Sequence, residues 1–404
     1  MSEVRAGVSE DRWVSLGHNT ARIPERLLLA HARGEVLFIT GAGISRPAGL
    51  PDFRGLVLEV YQRLDAGTYA ALNVVPLEAC NRWSASTRGL SSEQSAEVSR
   101  FVQGDYDVVL GMLERRMDGT AARTTTVRHA IADVLRQGGS KPAPIHKAMI
   151  RLADRGTAMT IVTTNFDLLL ENAARLQKKS AQSFALGGIP RPGRSGDFAG
   201  ILHIHGALAR DSNRTSDLIV TDQDFGEFYL RRRVVPDFIY DAARLFHLVL
   251  VGYSANDAPM RYLLNAVASD GSRFDDLKER FAFVSMAEPT DPVAIEDWKG
   301  RGITPIPYSM ASGHAALTKT LQRWSDLSAI NGKQTRIDAE LKRIVRQSRA
   351  TASEADRDLF DHLVRRGSSN ERDRIASLVS NAGAILEWLD AILAIRARPA
   401  REGA

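Results

Sequence analysis

The pattern of hydrophobic and polar positions along the chain predicts strands that alternate with helices. Short apolar runs of the kind found in buried strands occupy residues 35–40, 158–163, 201–205, 218–220, 246–251, 281–285 and 304–307. Apolar residues at helical spacing lie between several of these runs, for example over 167–176 and 258–268. Such an alternation favours an α/β fold in which a parallel sheet is covered by helices on both faces.

Two further stretches show helical spacing and no convincing strand. Residues 56–143 predict a helical subdomain inserted into the sheet, and residues 312–404 predict a helical C-terminal module. The expected helices of this module cover 315–327, 334–346, 354–365 and 371–395. We therefore divide the chain into residues 1–311, which include the insertion, and residues 312–404.

The last predicted helix, 371–395, carries an apolar stripe that something must cover. Its members are Ile375, Leu378, Val379, Ala382, Ile385, Leu386, Leu389, Ile392 and Leu393. We expect the module to mediate self-assembly or partner binding. The alternative is that the stripe packs back onto the chain's own sheet domain.

Composition excludes disordered and fibrous proteins, because 44% of the 404 residues are hydrophobic and 25% are charged. The 53 basic and 48 acidic residues give a net charge of +5, which permits an acidic partner but does not require one. Basic residues crowd 333–349. That run is more often a solvated helix face than a nucleic-acid contact, so nucleic-acid binding is only weakly supported.

The sequence lacks membrane-directing segments and has one cysteine, and both facts limit where the protein is expected and which metal sites it could form. No apolar run approaches the roughly 18–20 residues that cross a bilayer, and no signal peptide is visible, so we expect a cytoplasmic protein without membrane contact. Cys80 is the only cysteine, which excludes an internal disulfide and a four-cysteine zinc site. We expect no bound metal.

The first candidate chemistry is the sequence Gly41-Ala42-Gly43, directly after a predicted strand. Glycines there let backbone N–H groups approach a diphosphate closely. Arg46 stands where the dinucleotide fingerprint of dehydrogenases has its third glycine, which disfavours hydride transfer. A tight strand-to-helix turn is the plain alternative.

Three ordered motifs together are more specific. The string from Gly41 to Arg54, GAGISRPAGLPDFR, resembles the first signature of the sirtuin family. TTNFD at 163–167 resembles the Thr-x-Asn-x-Asp box of sirtuins, and His205-Gly206 resembles their His-Gly box. The resemblance covers roughly residues 30–310 and implies a Rossmann-like domain that binds NAD and cleaves its nicotinamide–ribose bond.

The resemblance also implies roles for single residues. Asn165 would hold a water or a ribose hydroxyl, and His205 would accept a proton, since an ordinary histidine titrates near 6.5. The residues expected to contact NAD are Gly41, Ala42, Gly43, Ser45, Asp52, Phe53, Arg54 and Asp167. Plain alternatives exist: Asn165 as a helix N-cap, Asp167 as a first-turn carboxylate, and His203 and His146 as structural histidines.

A later string, Gly252-Tyr-Ser254-Ala-Asn-Asp257, resembles an element of bacterial sirtuin-like effectors. It implies that Gly252 and Ser254 contact the adenosine ribose; a strand-to-helix turn capped by Asp257 is the alternative. Sirtuin deacylases carry two Cys-x-x-Cys pairs after the His-Gly box, which one cysteine cannot supply. Water is then the simplest acceptor for the ADP-ribosyl cation.

The resemblance therefore implies an NAD glycohydrolase that depletes NAD in antiphage defence. It also implies a homo-oligomer that pairs with a HerA-type hexameric ATPase. Two alternatives stay open: an NAD-dependent protein deacylase or ADP-ribosyltransferase, and a nucleotide-binding regulatory subunit without turnover.

Overall fold

The structure is a computed structural model. It describes residues 12–77, 86–119, 125–137, 141–156, 158–192, 198–208, 218–253, 264, 277–286, 291–383 and 386–397. Cys80, Ser254 and Asp257 lie outside the described residues. So does the predicted helix 258–268, apart from Leu264.

Most strands follow the apolar runs of the sequence. In the described residues they are β1 (Trp13–Ser15), β2 (Arg22–Pro24), β3 (Val36–Thr40), β4 (Thr160–Thr163), β5 (Ser183–Ala185), β6 (Gly200–His203), β7 (His247–Val251), β8 (Arg280–Met286) and β9 (Thr304–Ser309). The strand expected at 218–220 is absent from this set. Those residues are buried, and the N–H of Ile219 donates to the carbonyl of His205 at 2.9 Å.

Helices fill most of the remaining described chain. They are α1 (Glu25–Ala32), α2 (Phe53–Leu64), α3 (Ala66–Asn73), α4 (Ser92–Gln103), α5 (Tyr106–Asp118), α6 (Thr126–Gln137), α7 (Pro144–Leu152), α8 (Leu169–Leu176), α9 (Asp222–Phe225), a π-helix (Gly226–Arg231), α10 (Val234–Leu245), α11 (Pro292–Gly300), α12 (Ala311–Leu327), α13 (Gln334–Ile344), α14 (Glu354–Arg365), α15 (Ser369–Asn381) and α16 (Leu386–Ala397). Short 3₁₀ turns cover Ala42–Ile44, Arg46–Ala48 and Leu186–Gly188. None of the described helices is long and apolar enough to cross a bilayer.

The main sheet has seven strands, and the predicted parallel α/β architecture is confirmed. The larger of two compact units comprises residues 37–150 and 159–280. Its strand order is β5-β6-β4-β3-β7. β4 pairs in parallel with both β3 and β6, so that Thr163 lies opposite Thr40 on one side and opposite His203 on the other. The carboxyl ends of these three strands therefore lie level, and the chain leaves all of them at the same edge.

Helices α2 to α6 form the predicted insertion. They pack around a hydrophobic core that includes Tyr61, Phe101 and Leu113 and that also takes in Leu169 and Leu218 from outside the insertion. A buried ion-pair cluster connects these helices to the segment after β6. Arg128 on α6 lies 2.9 Å from the carboxylates of both Glu114 and Asp224. Since α9 begins at Asp222, this cluster fixes the start of the helical segment 222–231.

The smaller unit comprises residues 1–36, 151–158 and 281–404. Within it β8 pairs in parallel with β9, and β1 pairs in antiparallel with β2. The C-terminal helices share this unit with residues 1–36 and 281–311, so packing does not separate the chain at the predicted boundary after residue 311.

The predicted helix over 371–395 is wrong as a single element. It is divided into α15 and α16, and Gly383 between them has a φ of +71°. Glycine adopts this left-handed conformation readily, which is why helices so often end there.

Candidate functional site

Two glycine turns approach each other closely at the carboxyl ends of β3 and β7. The N–H of Gly41 donates to the carbonyl of Val251 at 3.0 Å, and the N–H of Gly43 donates to that of Gly252 at 2.8 Å. A Cβ atom on Gly43 would lie 2.8 Å from the Cα of Gly252. The glycines are thus required by packing between the turns. Both N–H groups donate to carbonyls of the facing turn, so this arrangement does not show them binding a diphosphate.

Ser45, Asn165 and Asp167 form one buried hydrogen-bonded cluster. The Asn165 side-chain amide donates to the carbonyl of Gly41 at 3.1 Å and to Ser45 Oγ at 3.0 Å. Ser45 Oγ in turn donates to Asp167 Oδ2 at 2.8 Å. Asn165 does not cap α8, whose N-cap is Leu168. The alternative of a capping asparagine is therefore wrong, and the amide instead joins the turn after β3 to the turn after β4.

His146 belongs to this cluster, although the sequence suggested only a structural histidine. Its Nδ1 accepts from the N–H of Ala143 at 3.1 Å, so the neutral ring carries its proton on Nε2, which lies 3.4 Å from Ser45 Oγ. Burial lowers the pKa of His146 to about 4. Ser45 can therefore accept from Asn165 and His146 while it donates to Asp167.

The carboxyl group of Asp167 is almost completely buried, and burial raises its pKa. The N–H of Leu169, which donates to Asp167 Oδ1 at 3.0 Å, and the hydroxyl of Ser45 oppose that rise. Asp167 therefore occupies an environment in which protonation is less costly than in water.

His203 lies behind Asn165 and contacts acceptors through both ring nitrogens. Its Nδ1 lies 2.8 Å from the carbonyl oxygen of Asn165, and its Nε2 lies 2.8 Å from Glu171 Oε1. Burial alone would lower the pKa of His203, but the hydrogen bond and charge of Glu171 raise it above the usual value. The ring is thus held as an imidazolium that fixes the backbone of Asn165.

His205 has different neighbours from His203. Strand β6 ends at His203, so His205 lies beyond the strand and the alternating side-chain directions of the strand do not apply to it. Its Nε2 lies 2.6 Å from the hydroxyl of Tyr229, and the edge of its ring meets Phe225 with centroids 5.7 Å apart. Burial lowers the pKa of His205 to about 3. The ring is therefore neutral at neutral pH and is oriented by a tyrosine on the π-helix, a distortion often found at functional sites.

The remaining predicted residues contact the helical insertion. Asp52 caps α2 by accepting from the N–H of Gly55 at 2.8 Å, and Phe53 meets Tyr106 edge to face. Arg54 donates to the carbonyl of Val75 at 2.6 Å and lies over the ring of Phe101. None of these contacts reaches the Ser45 cluster. Ala42 lies in the turn beside that cluster. The NAD-binding roles of Ala42, Asp52, Phe53 and Arg54 stay predictions.

Sequence reasoning missed Glu171 and Tyr229. Each is brought to the site by the fold, over a separation of 32 residues for Glu171–His203 and 24 for Tyr229–His205. Among the residues that the structure describes, no group of three or more His, Cys, Asp or Glu side chains could hold a metal ion.

Residues 159–306 match a family model described as a SIR2-like domain. Over 306 residues the chain is 34% identical to an uncharacterized protein of Sinorhizobium fredii, covering 74% of this chain and 23% of that protein. The chain spans about a quarter of the length of this relative.

Two solved structures show a more distant likeness. One comes from work on the mechanism and regulation of Sir2 enzymes, with 15% identity, a TM-score of 0.35, and coverage of 78% of this chain and 98% of that one. The other is a mutant Sir2 homologue in complex with ADP-ribose, at 15% identity and a TM-score of 0.35, covering 75% of this chain and 96% of that one. At these values neither likeness bears on function.

Proposed function

We propose that this chain is an NAD glycohydrolase, which converts NAD and water into nicotinamide and ADP-ribose. The observation that carries the proposal is the convergence of Ser45, Asn165 and Asp167 in one buried network, within a chain whose residues 159–306 match the SIR2-like family model. His205 follows the neighbouring strand. In open parallel sheets the ligand crevice lies at the carboxyl ends of the strands, where these side chains lie.

NAD would be the substrate, and the residues present fit its chemistry. In the reaction the bond between ribose C1′ and the nicotinamide nitrogen breaks, and its electron pair stays on that nitrogen. Water supplies the hydroxyl group that bonds to C1′, and its proton leaves to a base. The sugar passes through an oxocarbenium-like state, as in glycoside hydrolysis.

Each side chain can support one part of this reaction. The neutral amide of Asn165 is fixed by Gly41 and Ser45, so it can orient a water or a ribose hydroxyl without trapping the cation. When it is ionised, the carboxyl group of Asp167 can stabilise positive charge on the ribose, because buried electrostatic interactions are little screened. The ring of His205 is neutral at neutral pH, so a ring nitrogen can accept a hydrogen bond from the attacking water. A pKa of about 3 makes the ring a weak base, so it takes the proton only as the bond to C1′ forms and the water oxygen becomes strongly acidic.

The lone cysteine of this chain supports hydrolysis over protein deacylation, because one thiol cannot supply two Cys-x-x-Cys pairs. The biological role follows from the resemblance described above. We propose NAD depletion in antiphage defence, in the cytoplasm, by a homo-oligomer that is gated by a HerA-type ATPase. Catalysis itself is proposed to need no metal.

The direct test is release of nicotinamide from NAD by the purified full chain, with and without a HerA-type ATPase. His205→Ala should lower the rate by about 10²–10⁴, the usual effect of removing one acid–base group. Asn165→Ala should also lower the rate strongly, because the water or ribose hydroxyl loses the amide that orients it. Matched controls are Asn172→Ala on α8 and His129→Ala on the exposed side of α6, which should keep the normal rate.

Circular dichroism and thermal melting establish that each variant is folded. Near-normal turnover by folded His205→Ala would contradict its role. Nicotinamide release only with an acyl-lysine peptide would favour a deacylase, and transfer of ADP-ribose to protein would favour a transferase. No turnover under any of these conditions would favour a regulatory subunit.

A further inference from the structure

A large cavity lies within the smaller unit, apart from the candidate NAD site. Its volume is about 1290 Å³, which exceeds that of many pockets for small ligands. Its walls come from the segment around β1 and β2, from strand β9, and from helices α11 and α12. All its described lining residues belong to the smaller unit.

One wall of the cavity is apolar and partly aromatic. Trp13 and Ile303 contribute to it, together with Pro305, Pro307 and Tyr308 of β9. Proline has no N–H group, so this part of β9 presents few donors. The hydroxyl of Tyr308 lies 3.2 Å from His314 Nδ1, which fixes the tyrosine ring. This wall suits the flat or aliphatic body of an organic molecule.

The polar part of the lining is basic. Arg22, Arg26, Lys299 and Lys319 line the cavity, and none of its described lining residues is acidic. The guanidinium carbon of Arg26 lies 5.3 Å from the ring centroid of Phe281, and its Nη2 lies 3.4 Å from Thr304 Oγ1. These contacts hold the planar donor group of Arg26 in one orientation, whereas Lys319 is exposed on α12.

Carboxylates outside the lining partly neutralise two of these cations. Arg22 lies 3.7 Å from Asp358, and Lys299 lies 2.8 Å from Glu296. These ion pairs are largely exposed, and exposed pairs contribute little and exchange readily. Arg26 on α1 and Lys319 on α12 come from two separate elements, and both line the cavity.

A strained turn borders the same cavity. Ser312, which lines it, has a φ of 54°, and the next two residues, Gly313 and His314, have φ values of 65°. Left-handed conformations cost non-glycine residues of order 1–3 kcal/mol and are concentrated at ligand-binding and catalytic sites. The bonds from the N–H of Met310 to the carbonyl of Met286 and from Tyr308 to His314 hold this turn in place.

We propose that this cavity binds an organic phosphate, with the phosphate against Arg26 and Lys319 and the apolar body against the wall formed by Trp13 and β9. Arginine matches phosphate oxygens through paired N–H donors, and a multiply charged phosphate uses several cations better than a single carboxylate does. This proposal is independent of NAD hydrolysis.

Trp13 provides a local optical probe. The full chain is titrated with ATP, which has a ring body, with decyl phosphate, which has an aliphatic body, and with inorganic triphosphate, which has neither. At least one organic phosphate should quench Trp13 fluorescence and bind more tightly than inorganic triphosphate. The chain has five tryptophans, so the same titrations of Trp13→Phe identify the contribution of Trp13, while calorimetry follows binding itself.

Two charge-reversal variants complete the test. Lys319→Glu should weaken binding of the organic phosphate by about tenfold or more, because it places a like charge against the phosphate. Lys342→Glu reverses an exposed lysine of α13 outside the lining and should leave the affinity unchanged. Preference for ATP indicates a nucleotide, and preference for decyl phosphate indicates a lipid-like phosphate.

Three results would overturn the proposal. They are no binding of either organic phosphate, equal affinity for inorganic triphosphate, and equal weakening by Lys342→Glu. The last two would indicate unspecific attraction to a basic surface rather than recognition of a phosphate with an apolar body.

Discussion

At the scale of single residues, the site depends on side chains that hold one another rather than on any isolated catalytic group. Asn165 is fixed through its side-chain amide by Gly41 and Ser45, and through its backbone carbonyl by His203. Glu171 completes this arrangement by accepting from His203 and from Ser183 Oγ, the latter at 2.6 Å. We therefore expect a substitution at Glu171 to alter the position of Asn165 through His203, without removing a contact to the substrate.

Glu171→Gln is predicted to destabilise the protein by roughly 3 kcal/mol, because it leaves a buried imidazolium without its carboxylate. It should also lower kcat for NAD more than it raises KM, since Asn165 loses its positioning but keeps its side chain. Urea unfolding and steady-state kinetics measure the two effects. The control Glu296→Gln removes a carboxylate from an exposed pair with Lys299 and should have little effect on either.

The pair also predicts how stability depends on pH. The pKa of His203 is raised, so its contribution is complete below its ordinary 6.5 and is lost as pH rises through the folded-state value. The pKa of Glu171 is lowered, so its contribution is complete above its ordinary 4.5 and is lost as pH falls through the folded-state value. The difference in unfolding free energy between wild type and Glu171→Gln should be largest between these limits. A difference that does not change with pH would contradict the charged pair.

At the scale of elements, the two glycine turns decide whether β3 and β7 can bring their ends together. Gly43→Ala should destabilise the larger unit by roughly 1–3 kcal/mol, because the new methyl group would meet the backbone of Gly252. It should also lower NAD turnover, since Ser45 follows the same turn. Thermal melting and nicotinamide release measure these effects.

Gly188→Ala is the matched control, because a Cβ atom there meets nothing within 4 Å and Gly188 is exposed. Its stability should stay within about 0.5 kcal/mol of wild type. If Gly43→Ala behaved like this control, the close approach of the two turns would not be a constraint on the fold.

The sequence predicted the long elements and missed the short ones, for a physical reason. Strands β3, β4, β6 and β7 were found because runs of four or five buried positions produce a clear apolar signal. The three-residue strands β1, β2 and β5 contain too few positions to show a period. The residues 218–220 are apolar and buried but do not form a strand. Composition alone could not distinguish such a run from a buried strand.

The sequence motifs predicted central residues of the candidate site, but not the residues that hydrogen-bond to its histidines. Asn165 and Asp167 were singled out from sequence, and the structure places both with Ser45. The hydrogen bonds of Tyr229 and Glu171 depend on how β6, α8 and the π-helix pack. That packing brings together positions far apart in the chain, which no local pattern reveals.

At the scale of the whole molecule, the C-terminal helices are part of the core of the smaller unit. Glu25 on α1 accepts from Arg365 on α14 at 2.9 Å, and Thr320 on α12 accepts from the N–H of Ala21 at 2.8 Å. Ile375, Val379 and Ile392 of the predicted apolar stripe are buried, whereas Leu386 and Leu393 are 73% and 58% exposed. Three residues of the stripe are thus covered within their own unit and others are exposed, and assembly through the module stays a proposal.

Removing residues 312–404 is therefore predicted to make the remaining chain insoluble or partly unfolded. Leu317, Leu321 and Trp324 of α12 are almost completely buried, and their removal would expose the apolar residues that they cover in this unit. The matched control ends after Ala397, beyond α16, and should remain folded with an unchanged melting temperature. Size-exclusion chromatography with light scattering compares both with the full chain. A truncated chain that is soluble and folded but forms a smaller oligomer would contradict this prediction. It would instead favour an assembly module that folds independently of the rest of the chain.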